Sequence, residues 1–72
     1  MNNINNMVET NKDRVIAKAK SLLAETDYAM LSDVVIENKS AFVEYRKYLR
    51  EVIKNPVNPT YFMDVPSPLW VV

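Results

Sequence analysis

One stretch constrains this chain more than any other: residues 41–54, AFVEYRKYLREVIK. At about 100° per residue, Phe42, Tyr45, Leu49, Val52 and Ile53 share one continuous stripe, flanked by Ala41 and Tyr48. Glu44, Arg46, Lys47, Arg50, Glu51 and Lys54 fall on the other side, with Val43 alone among them. Pro56 stops the helix, because proline lacks an amide donor and pushes Asn55 out of helical backbone. An aromatic stripe this wide has to pack on something. The rest of the chain, or a partner, must supply that surface.

With 72 residues, the chain has room for one small domain with little core. Such domains commonly lean on disulfides, metals or oligomerisation. Cysteine and histidine are both absent, which excludes disulfides and the usual zinc sites and leaves oligomerisation or a partner as the support. The same absence fits a reducing compartment. Glycine is absent too, so glycine-rich phosphate loops are excluded and glycine-turn hairpins are disfavoured.

Nine basic and nine acidic residues balance to zero, without the basic excess usual for nucleic-acid binding. No apolar run approaches the roughly 20 residues of a membrane span. The N-terminus, MNNINNMVET, has neither the basic nor the apolar region of a signal peptide. No nucleic acid, membrane or cofactor is therefore expected as a partner.

Residues 1–10 are polar and asparagine-rich and read as a solvated tail. A first helix should begin near Thr10 or Asn11, either of which can cap it, with Asp13 suiting the positive helix end. Its stripe is Val15, Ile16, Ala19, Leu22 and Leu23, and it should end at 25–27. Tyr28, Met30 and Leu31 in the connection are too apolar for a solvated loop. They are expected to cover the open end of a helical hairpin, with Asp27 and Asp33 bonding nearby backbone. The β-branched run 34–36 should lead, extended, into the second helix, which begins between 35 and 40.

After Pro56 the chain reads PVNPTYFMDVPSPLWVV. Its four prolines favour an extended path. Tyr61, Phe62, Met63, Leu69, Trp70 and Val71 make it more apolar than either helix. A solvated tail does not look like this. Burying a large apolar side chain stabilises by roughly 1.5–3 kcal/mol. Several of them outweigh a backbone ordering cost of about 1–2 kcal/mol per residue. Those six residues are the candidate partner-binding set, and Trp70 suits either an interface anchor or packing within the chain.

Catalysis has little to work with. Without Cys or His, the usual nucleophile–base pairs cannot be built. Glu44 and Glu51 read as a solvated helix face, and Asp27 and Asp33 as turn aspartates. Arg46, Lys47, Arg50 and Lys54 form one basic patch, which Glu44 and Glu51 interrupt and which also suits a helix C-terminus. No catalytic or metal-binding residue is expected.

In order along the chain stand Leu22-Leu23-Ala24-Glu25-Thr26-Asp27-Tyr28, Leu31-Ser32-Asp33-Val34, Lys39, Phe42, and Tyr45-Arg46-Lys47-Tyr48-Leu49-Arg50-Glu51-Val52. This succession resembles the phage tail assembly chaperone family: a leucine pair, a Ser/Thr-Asp-aromatic-Thr turn, Leu-x-Asp, an aromatic, then Tyr-Arg-x-x-Leu-Arg-Asp. Residues 66–70, with two prolines and a tryptophan, echo the family's following segment. Tyr28 and Phe42 stand where the family often has tryptophan, and Ala29 replaces its usual threonine.

The resemblance implies a phage protein that binds a tail or tail-fibre component, located in the virion tail region or in the host cytoplasm during assembly. It leaves open a transient chaperone or a small structural component retained in many copies in a symmetric assembly. A small phage regulator of a host protein is the alternative. The expected fold is all-α: an antiparallel helical hairpin over 11–55, preceded by the tail 1–10 and followed by the proline-rich arm 56–72, which docks in cis or in trans.

Overall fold

The computed structural model describes residues 11–57 and 61–71. The expectations for residues 1–10, including Thr10 as a cap, lie outside them. The described chain is an all-α helical hairpin with an extended arm. Helix α1 spans Asn11–Thr26 and α2 spans Lys39–Lys54, joined through a single 3-10 turn, Asp27–Met30.

Both stripes pack as their periodicity predicts. Val15, Ala19 and Leu22 of α1 are buried, as are Phe42, Tyr45 and Leu49 of α2. Ile16, Leu23, Val52 and Ile53 are half-buried at the margins, and Val43 is exposed. The helices run antiparallel. Ala19 and Leu22 meet Tyr45 and Leu49, while Thr26 at the end of α1 and Asp27 just beyond it meet Arg46.

Alpha-1 ends without the glycine that commonly closes a helix, since the chain has none. Side chains add donors to the carbonyls of its last turns instead. The buried Thr26 hydroxyl donates back to the Leu22 carbonyl at 2.8 Å, with Leu23 at 3.2 Å. Arg46 of α2 reaches across to donate to the Leu23 carbonyl at 2.7 Å and to Thr26 Oγ1 at 2.9 Å. It also pairs with Asp27 at 2.8 Å. The expectation that Arg46 lies on the solvated charged face is thus corrected: its side chain is 15% exposed. A guanidinium at the negative end of α1 gives the Leu23 carbonyl a charged donor and pairs with Asp27, and that outweighs solvation of its long stem.

The 3-10 turn begins a second small cluster of Ala29, Ile36 and Phe42, with Tyr28, Met30 and Val34 packed against it. Tyr28 sits edge-on to Phe42, ring centroids 6.1 Å apart. Leu31 does not cover the hairpin end as expected; it is 54% exposed. The backbone turns extended at Leu31 (φ −68°, ψ 142°), which carries it past the core and leaves the interior position to Ala29.

Alpha-2 starts after Asn38 and ends at Asn55, whose amide still bonds the Glu51 carbonyl. Asn55 adopts φ −134°, ψ 70°, outside the helical region, as the following proline requires.

Candidate functional site

The arm folds back on its own hairpin, so the choice between cis and trans falls to cis for its backbone. It runs antiparallel to α2, from Met63 beside Tyr45 and Tyr48 to Trp70 beside Ile36. A proline-rich extended strand has no internal hydrogen bonds, so each of its polar groups needs an outside partner. Alpha-2 and the residue just before it supply these at two latches.

The first latch grips Met63. Tyr45 Oη donates to the Met63 carbonyl at 3.0 Å, and the Met63 amide donates to Tyr48 Oη at 3.3 Å. These tyrosines stand three residues apart on α2, with rings 5.8 Å apart. Burial, together with the neighbouring Tyr48, Asp64 and Glu25, raises the Tyr45 phenol above its usual 10.0.

The second latch is Asn38. This residue type is favoured for capping the helix it precedes, yet its side chain makes no cap bond. It turns to the arm instead: Nδ2 donates to the Ser67 carbonyl at 2.8 Å, and Oδ1 accepts from the Leu69 amide at 2.9 Å. One side-chain amide thus pairs with the arm as a strand neighbour would. Backbone pairing continues beyond it. Glu37 N–H donates to the Leu69 carbonyl at 2.8 Å and Val71 N–H to the Val35 carbonyl at 3.2 Å, placing Ile36 opposite Trp70 as an isolated antiparallel bridge. At the two latches and the bridge, the arm's bonding groups come from residues 63, 67, 69 and 71. Pro66 and Pro68 fall between them, where a missing amide costs no bond.

These latches fix where the six candidate residues go. Phe62 turns inward and packs against the cluster of Ala19, Leu22, Tyr45 and Leu49. Tyr61 projects outward and is 87% exposed. Met63, Leu69 and Val71 are each half or more exposed. Of the two roles open to Trp70, the structure shows packing within the chain. Trp70 stacks on Tyr28, centroids 6.1 Å apart and planes 29° from parallel, yet stays 55% exposed. The arm therefore presents a discontinuous apolar ridge held on a fixed backbone.

Asn38 and Arg46, the residues that hold the arm and the turn, carry no sequence mark of those roles. Nothing local singles out Asn38, and Arg46 reads as one more cation on the charged side of α2. Only the position of Arg46 at the border of the α2 stripe hinted that it could reach α1.

Among the described residues there is no enclosed pocket, no group of three or more potential metal ligands, and no helix long and apolar enough to cross a membrane. No protein-family model, curated protein or solved structure matches the chain.

Proposed function

We propose that the chain is a non-catalytic protein-binding module of phage tail or tail-fibre assembly, and that its arm carries the binding surface. The resemblance of residues 22–52 and 66–70 supplies the phage-tail context. One observation carries the binding role: the arm is anchored in cis, while Tyr61, Met63, Leu69, Trp70 and Val71 remain half or more exposed on it. Five large apolar groups on a pre-ordered backbone lower the ordering cost that a partner would otherwise meet. An aromatic among them gives a natural anchor. Phe62 belongs to the chain's own core and is left out of this surface.

The test uses Tyr61→Ser together with Met63→Ser, both outward-facing. Co-purification with the tail and tail-fibre proteins of the phage encoding this chain should fall by about tenfold or more, with an unchanged melting temperature. Binding that survives the pair of substitutions places the partner surface elsewhere. Loss of binding to tail proteins but capture of a host protein by the same ridge would support a regulator instead. Mass spectrometry of purified particles then separates a retained component from a transient chaperone.

A further inference from the structure

Charge in this chain is segregated by element. All nine Lys and Arg residues lie within 12–20 and 39–54, inside the two helices. Residues 21–38 and 55–72 hold none, yet include Glu25, Asp27, Asp33, Glu37 and Asp64. Arg46 neutralises Asp27. No described residue forms an ion pair with Asp33 or Glu37.

The pairing of 35–37 with 69–71 decides which of these side chains share a face. Ile36 is buried and Trp70, opposite it, lies on Tyr28. By the two-residue period, Val35, Glu37, Leu69 and Val71 turn to the other face, and all four are exposed. The outer face of this short ribbon is therefore three aliphatic side chains and a carboxylate, with Asp33 two residues from Val35.

A complementary surface lies on α2. Val43, Lys47, Arg50 and Lys54 recur at i, i+4, i+7 and i+11, which makes one stripe, and all are exposed. Tyr45 and Tyr48, which hold the arm, lie on another side of the helix, and Glu44 and Glu51 border the stripe along one edge. Lys54 approaches Glu51 only at 3.6 Å, and no described residue forms an ion pair with Lys47 or Arg50.

We infer that the ribbon face of one copy docks on the α2 stripe of a second copy. Val35, Leu69 and Val71 lie against Val43 and the aliphatic stems of Lys47 and Arg50. Glu37 and Asp33 meet the cationic heads. The two surfaces do not meet within one molecule, because the stripe is turned away from the arm. The contact is heterologous, so it propagates into a ring or a filament. Zero net charge leaves no overall repulsion to oppose it. The inference shares Leu69 and Val71 with the proposed partner surface but needs no other protein, so it stands or falls separately.

The full chain tests it, by sedimentation at about 20 mM and about 500 mM salt. The expected result is association well above the 8.3 kDa monomer at low salt and its loss at high salt. Glu37→Lys and Lys47→Glu should each weaken association by about tenfold or more, since like charges then face each other. An equimolar mixture of the two variants should recover it, because every contact between unlike copies is again complementary. Circular dichroism checks the fold, and Asp33→Lys replaces Glu37→Lys should that variant lose helix. A monomer at both salts up to about 1 mM overturns the inference. So does association that ignores both reversals, or a monomer whose stripe binds a DNA duplex and loses it in Lys47→Glu.

Discussion

At the residue scale, single side chains replace the devices this sequence lacks. With no glycine available, Thr26 and Arg46 together close α1. The fork of the guanidinium matters as much as its charge, because one nitrogen serves the Leu23 carbonyl and Thr26 while the other meets Asp27. Arg46→Lys keeps the charge and loses that geometry. It should cost about 1–3 kcal/mol, the scale for losing hydrogen bonds made by a partly buried charged group. Denaturant melts measure the cost, and amide exchange should locate it at the end of α1. An unchanged melt would mean that water satisfies the Leu23 carbonyl equally well.

At the element scale, the arm is held by polar latches more than by burial. Of its large apolar groups, Phe62 packs into a core cluster, while Tyr61, Met63 and Leu69 face outward. Tyr45 is the latch most sensitive to solution conditions, since only its neutral form can donate to Met63. Its phenol titrates higher in the folded chain than in the unfolded one. The stability this gives is fully present below about pH 10, where an unfolded tyrosine begins to ionise, and is lost as pH rises through the higher folded value. Thermal melts from neutral to alkaline pH should therefore fall more steeply above that point than melts of Tyr45→Phe. Equal slopes would show that Tyr45 contributes nothing to the alkaline transition.

At the scale of the whole molecule, the hairpin and the arm should not be equally stable. The hairpin has two buried clusters, whereas the arm depends on Asn38 bonds that lie exposed to water. Trp70 is the one tryptophan and stacks at the arm's far end, so its fluorescence reports docking, while far-ultraviolet circular dichroism reports the helices. In a denaturant titration the fluorescence midpoint should come first, and Asn38→Ala should widen the gap between the two. Coincident transitions in both proteins would make the arm an integral part of one cooperative unit.

The helices were legible because their information is local. The spacing of Phe42, Tyr45 and Leu49, and of Val15, Ala19 and Leu22, repeats with the helical period, and Pro56 bars continuation. The apolar arm was legible as a segment needing cover. Its path was not, because proline and extended backbone carry no period that names a neighbour. Arm docking in cis, Asn38 reaching for Ser67 and Leu69, Arg46 turning inward and Leu31 turning out all rest on contacts between residues far apart in the chain or on a single backbone turn. Such contacts are chosen by where the two helices leave backbone groups unsatisfied and apolar surface uncovered. That is a property of the packed hairpin, which no stretch of sequence holds by itself.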